Sequence, residues 1–221
     1  MKNRAVRTSI EKTRRQDLVK AAHLTFLEHG MQGMTMSRIG ERAGMSHGIV
    51  NYYFRTKNEL LGAVMRKSVL SVMAETLRRL RLARSPRERV SAIIAGNFPP
   101  ELFTLDIARA WVSYYAMMGQ NDSFERVQRA SDSRLISNLN HALKQMTHET
   151  AAEHIAVSIS ILIDGAWLRH GRSYDKMDAA SAISHIESFV DERLAAAGSA
   201  CQPSRSASHS AMAGMRSPPA I

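Results

Sequence analysis

Apolar residues recur at spacings of three and four through most of this chain, and over residues 85–196 no stretch alternates with period two. A chain patterned this way offers one-faced helices and no half-buried strand. It must bury its apolar stripes helix against helix, so the expected fold is all-α. The period opens near Lys12, runs through Leu18, Ala21, Ala22, Leu24, Thr25 and Leu27, and stops at His29-Gly30, where glycine can supply a left-handed cap. Thr35 fits the N-cap of a short helix over 36–43 that carries Met36, Ile39 and Ala43 on one face. Gly44 ends it, Ser46 caps a second short helix over 47–54, and Thr56 caps a long third one through Leu60, Leu61, Val64, Val69 and Met73 towards Leu82. Five more helices are predicted over 86–97, 104–119, 122–146, 149–170 and 175–196, broken at Ser85-Pro86, Pro99-Pro100, Gly119-Gln-Asn-Asp, Thr147-His148 and His170-Gly171.

Charge divides the chain. Residues 1–60 hold 11 Lys and Arg against 5 Asp and Glu, and residues 61–90 hold 8 against 2. Residues 91–221 hold 11 against 13, so all the excess positive charge lies in the first ninety residues. A polyanion is the simplest partner for that end, and a solvated basic helix surface is the alternative. The 221 residues suffice for one to two domains. Three segments are expected: a basic N-terminal domain over 1–60, a second helical domain over 61–196, and a disordered tail over 197–221. Ala, Ser, Pro and Gly make up 17 of the tail's 25 residues, with no Asp or Glu. The single cysteine, Cys201, falls in the tail, which excludes a disulfide scaffold and a Cys-based zinc site. No run approaches 18 apolar residues and the basic N-terminus lacks an apolar segment, so no membrane span and no secretory signal are expected, and the cytoplasm is the expected location. The nine His form no HExxH, and no phosphate loop or GxSxG occurs. No enzyme, cofactor or metal site is expected.

The two short helices joined by Ala43-Gly44-Met45-Ser46 have the form of a helix-turn-helix, whose second helix would lie in a major groove. The run Thr35-Met-Ser-Arg-Ile-Gly-Glu-Arg-Ala-Gly-Met-Ser46, then Gly48, then Tyr53-Phe54-Arg-Thr-Lys57-Asn-Glu-Leu60-Leu61, closely resembles the signature of the tetracycline-repressor (TetR) family. The resemblance implies all-helical dimers, each with an N-terminal three-helix DNA-binding domain and a C-terminal ligand domain. Asn51 departs from the tyrosine of many members, and an Asn can read adenine bidentately. By residue type, His47, Ile49, Asn51 and Tyr52 are base-reading candidates, with Ser37 from the preceding helix. Thr35, Tyr53 and Lys57, with Arg14 and Arg15, are phosphate candidates.

In the second half, Trp111, Tyr114 and Tyr115 share a helix face, as do Asp164 and Trp167 within the apolar run 159–168. A carboxylate buried there needs a partner: an Arg, a helix end or a cationic ligand. Rings around one acid suit a quaternary ammonium, held by cation–π attraction. Ordinary aromatic core packing and an internally paired Asp are the alternative. Ala95-Gly-Asn97-Phe98, Ala110-Trp111, Ser133-Arg134-Leu135-Ile-Ser137-Asn138-Leu139 and Leu162-Ile-Asp-Gly-Ala-Trp-Leu-Arg169 resemble the BetI-type branch of the family, choline-responsive repressors of glycine betaine synthesis. That resemblance implies repression of choline uptake and oxidation genes, relieved by choline, and brings Asn97 and Phe98 into the ligand set. The alternative is a TetR-type repressor of an efflux or other metabolic operon with a different ligand. Small and apolar residues at Ala151, Ala152, Ala156, Ile159, Ala179, Ala180, Ala182, Ile183, Ile186 and Val190 predict a four-helix homodimer interface, with intramolecular packing as the alternative. A twofold dimer would match a palindromic operator in double-stranded DNA.

Overall fold

The computed structural model describes residues 2–116, 122–172 and 177–200, and every regular element among them is an α-helix. The first, α1 (Lys2–Gly33), begins ten residues earlier than the apolar period does. Residues 2–11 are mostly polar and give no amphipathic signal, yet they contain no Gly or Pro to stop the helix. At Gly30 the backbone leaves helical geometry (φ 61°, ψ −168°), so α1 is two pieces across a kink rather than a helix ended by a left-handed cap. The kink presses on α6: a Cβ on Gly30 would lie 3.2 Å from Asp106 Cβ.

Helices α2 (Met36–Ala43), α3 (His47–Tyr53) and α4 (Lys57–Leu80) follow the expected spans within two residues. Each starts at its expected cap. Arg38 N donates to Thr35 Oγ1 at 3.3 Å, Ile49 N to Ser46 Oγ at 3.4 Å and Glu59 N to Thr56 Oγ1 at 3.1 Å. Gly44 is left-handed (φ 63°, ψ 32°), the conformation that turns α2 into α3. Leu18, Ala22, Phe26, Ile39, Val50, Phe54 and Leu60 close a small core among these four helices.

The rest of the chain forms α5 (Pro86–Gly96), α6 (Leu105–Ala116), α7 (Asp122–Leu143), α8 (Glu149–Gly171) and α9 (Ala179–Ala200). Helix α8 packs against α6, α7 and α9, while α5 packs against α4, α7 and α9. Arg87 on α5 reaches Glu187 and Asp191 on α9, its Nε donating to Asp191 Oδ1 at 3.0 Å. The boundaries differ from expectation in four places. Helix α6 is described to Ala116, and 117–121 lie outside the described residues. Helix α7 closes at Leu143 in a run of turns. Helix α9 starts at Ala179, not 175, because Asp178 Oδ1 accepts Ser181 N at 2.7 Å and caps it. It then runs to Ala200, so the first four residues of the expected tail are helical, and 201–221, with Cys201, lie outside the described residues.

By length and composition α8 is apolar enough to cross a membrane, as a bundle's core helix can be, and its buried side is a bundle face. The small residues divide. Ala152, Ala156, Ile159, Ala182, Ile186 and Val190 are buried within the chain, so they serve intramolecular packing. The apolar residues left exposed on α8 are Val157, Ile161, Leu162 and Leu168.

Candidate functional site

The DNA-facing candidates cluster where α2 and α3 cross. His47, Gly48, Asn51 and Tyr52 are exposed on α3, Ile49 and Tyr53 are half-buried, and Val50 and Phe54 anchor the helix in the core. Ser37 Oγ lies 3.4 Å from His47 Nδ1 and joins the first turns of the two helices. Tyr52 sits edge-on to Tyr53, with centroids 5.1 Å apart. Thr35 and Lys57 are exposed at the starts of α2 and α4. The crossing depends on a residue that the sequence reading passed over. A Cβ on Gly40 would lie 2.6 Å from Met45 O, so only glycine lets the turn close this tightly. A glycine inside an eight-residue helix was the available signal.

The two arginine candidates separate. Arg14 is exposed. Arg15 is half-buried, with its guanidinium 4.6 Å from the Phe54 ring centroid and 3.8 Å from Glu59 Oε1. Its charge is turned to the α1–α4 junction.

The aromatic candidates surround a cavity of about 70 Å³ at the meeting of α4, α6, α7 and α8. Of the seven expected ligand residues, Asn97, Trp111, Tyr115, Asp164 and Trp167 line it. Phe98 and Tyr114 do not; both are fully buried behind it, Phe98 stacked 6.5 Å from Trp167 and Tyr114 edge-on to Trp111 at 5.5 Å. The i, i+4 pair of α6 thus faces the cavity and the i+3 residue faces the core. Trp111 lies 5.8 Å from Tyr115 and 6.3 Å from Trp167, centroid to centroid. Trp167 Nε1 donates to Asn97 O at 3.2 Å, which holds the indole in place.

Asp164 is not buried as the apolar run had predicted. It keeps an exposed edge at the cavity mouth, where Tyr115 Oη donates to its Oδ1 at 3.3 Å. Its helix turns it to the border between the packed face and the exposed stripe of Val157, Ile161 and Leu168. Partial burial, then the charge of Asp132, push its carboxyl up to about 6, against a smaller opposing effect of the Tyr115 hydrogen bond. Burial and the Asp164 charge raise the Tyr115 hydroxyl in turn.

The sequence reading missed Gln128, Ser131, Asp132 and Leu135 on α7, and Val69 and Val72 on α4, all of which line the cavity. Asp132 was detectable as an acid on the apolar stripe that continues through Leu135, Leu139 and Ala142. Among the described residues no group of three His, Cys, Asp or Glu could hold a metal ion.

Residues 18–64 match the family of bacterial regulatory proteins, tetR family, and residues 86–195 match the BetI-type transcriptional repressor, C-terminal family. The HTH-type transcriptional regulator BetI of Brucella melitensis biotype 1 is 35% identical over 191 residues, which cover 86% of this chain and 96% of that protein. BetI 2 of Chromohalobacter salexigens is 33% identical, covering 85% and 92%. Among solved structures, a transcriptional regulator from Pseudomonas aeruginosa superimposes with a TM-score of 0.66 at 26% identity, covering 86% of this chain and 95% of that one. A regulator from Saccharomonospora viridis, solved in complex with choline, gives 0.66 at 17% identity, covering 81% and 96%; at that identity it speaks for the fold.

Proposed function

The chain belongs to the TetR family of transcriptional regulators, with a BetI-type C-terminal half, and from that premise we propose that it represses genes for choline uptake and oxidation to glycine betaine and is relieved by choline. As a family member it is a DNA-binding repressor and not an enzyme. The finer reading is carried by one observation: three rings, Trp111, Tyr115 and Trp167, stand around a carboxylate whose protein partner is a neutral hydroxyl. A trimethylammonium group has no N–H to donate, so ring faces and one unneutralised anion are what can hold it. At about 70 Å³ the cavity is small beside the roughly 300–1,000 Å³ of sites for drug-sized ligands, which favours a small cation. The choline bound to the Saccharomonospora viridis regulator is in keeping with this.

On the DNA side the reading places His47, Ile49, Asn51, Tyr52 and Ser37 at base edges, and Thr35, Tyr53, Lys57 and Arg14 at phosphates, with Arg15 bracing α1 against α4. The protein works in the cytoplasm as a twofold dimer on a palindromic operator. Val157, Ile161 and Leu168, exposed on α8, form the self-contacting stripe. Two contacts offer the signal a route. Helix α4 lines the cavity with Val69 and Val72 and starts at Lys57, and α6 abuts the Gly30 kink of α1. Choline acts by preferring one of two arrangements of these helices.

A gel shift on the promoter beside the repressor's own gene, with and without choline, tests the reading. Retardation that choline weakens is expected. Retardation indifferent to choline would leave a repressor with another effector.

A further inference from the structure

The cavity has a second pole that a trimethylammonium cage leaves unused. Asp132 on α7 lines it together with Asp164 on α8. Its recorded partner is neutral: Gln128 Nε2 donates to Asp132 Oδ1 at 2.8 Å. That bond turns the amide oxygen of Gln128 the other way, and this buried Oε1 has no hydrogen-bond partner. A buried acceptor left unpaired costs free energy unless a ligand or water satisfies it. The α7 wall therefore offers two acceptors, with the Ser131 hydroxyl beside them as the one rotatable donor. Asp132 also raises the carboxyl of Asp164, so the two acids feel one another across the space. A single cationic head neutralises one of them. The other is left for a hydrogen-bond donor, and it repels an anion in a poorly solvated place.

We propose that Asp132 is the specificity-determining residue of the site: it accepts the hydroxyl hydrogen of a quaternary ammonium alcohol and rejects the zwitterion in which that carbinol carbon has become a carboxylate. The inference rests on the choline reading and deepens it. In choline the hydroxyl carbon is two bonds from nitrogen, and in glycine betaine that carbon is the carboxylate carbon itself. With the head held at Asp164 and the rings, the group on that carbon falls on the α7 wall. An O–H there finds Asp132 and Gln128 Oε1. A carboxylate there meets another carboxylate. The site thus reads the oxidation state of one carbon, so the regulator responds to the unoxidised substrate while the accumulated product leaves it unchanged.

The test is a titration followed by tryptophan fluorescence, with choline, tetramethylammonium and glycine betaine as probes, on the full chain and its Asp132→Asn and Asp164→Asn variants. In the unaltered protein choline should bind about tenfold or more tighter than tetramethylammonium, the gain expected of a hydrogen bond to a charged acceptor. Glycine betaine should bind at least a hundredfold more weakly than choline. Asp132→Asn should narrow the choline-to-betaine ratio by tenfold or more while tetramethylammonium changes less than threefold, which also shows that the variant's cage is intact. Asp164→Asn should weaken both cations together. An unchanged ratio in Asp132→Asn overturns the inference and leaves the choline reading standing. Loss of tetramethylammonium binding in Asp132→Asn overturns it too, because Asp132 would then belong to the head group's cage. Failure of choline and tetramethylammonium to bind the unaltered protein overturns both readings.

Discussion

At the scale of single residues, the DNA face pairs an exposed reading edge with side chains committed to holding it. Val50 and Phe54 are sunk in the core, and Asn51 and Tyr52 stand out from the same two turns. Replacing Lys57 by Ala should weaken binding to all sequences alike and lower the slope of log K against log salt by about one, because one phosphate contact is lost. Asn51→Ala should relax preference at one position, at about 1–3 kcal/mol. Binding isotherms on operator and scrambled DNA at several salt concentrations check both. In the cavity, partial burial and then the Asp132 charge push the Asp164 carboxyl up to about 6. Its folded-state value is raised, so its contribution to stability is fully present below the unfolded value near 4 and is lost as pH rises through about 6. Tyr115 on α6 and Asp132 on α7 are the titratable groups beside it, and neither neutralises it. A cation needs the ionised form. Choline affinity should be level above pH 7 and should fall below pH 6, approaching tenfold per unit. Titrations from pH 5 to pH 8 read this directly, and a level profile would show that the Asp164 charge takes no part.

At the scale of elements, α8 has two apolar faces, one buried and one open. Ala152, Ala156, Ile159 and Ile163 are buried among α6, α7 and α9, while Val157, Ile161 and Leu168 lie open. Substitutions on the two faces should therefore fail differently. Ala156→Arg places a charge at a fully buried position and should lower the melting temperature sharply or abolish folding. Ile161→Asp should leave melting of the chain nearly unchanged and give monomers with weak operator binding. Analytical ultracentrifugation and thermal melts of the pair decide it, and a stable Ile161→Asp dimer would move the interface elsewhere. Helix α4 has a similar division along its length. Lys57 stands at its start beside the DNA face, Val69 and Val72 touch the cavity, and beyond them Gly96 lets α5 cross closely. A Cβ on Gly96 would lie 2.6 Å from Thr76 Cα, so the far half of α4 is clamped to the bundle.

At the scale of the whole molecule, charge and cavity lie in different parts of one chain. Residues 1–90 carry the positive excess, and Asp132 and Asp164 of the cavity belong to the part whose balance is slightly negative. Helix α4 runs from the helix-turn-helix to the cavity, and α6 meets α1 at Gly30. Coupling through shared elements is reciprocal for binding. If choline lowers operator affinity by some factor, saturating operator DNA should lower choline affinity by that same factor. Fluorescence titrations of choline with and without a duplex operator measure it. A choline affinity that operator DNA leaves unchanged would mean that choline does not shift the DNA-binding equilibrium.

The local rules of helix formation were sufficient to read the fold from the sequence. Thr35, Ser46, Thr56 and Gly44 act on backbone groups within a few residues, so their capping roles were legible from spacing alone. The helix-turn-helix and the all-α class follow from such short-range chemistry, and the family signature rides on it. The three-and-four period also paired Trp111 with Tyr115 and Asp164 with Trp167, and both pairs line the cavity. What the sequence could not decide was which of several equally apolar faces meets which neighbour. Tyr114 and Tyr115 are adjacent, and only the packing of α6 on α8 sends one to the core and the other to the cavity. Asp132 and Gln128 enter the site because α7 crosses α8 there, a contact between segments some thirty residues apart. Ala156 and Ile161 are both apolar and five positions apart, and which of them is buried is decided only once α6, α7 and α9 occupy one side of α8. Capping is settled by hydrogen bonds within a turn, whereas a cavity is settled by volume left between distant helices, which no local pattern encodes.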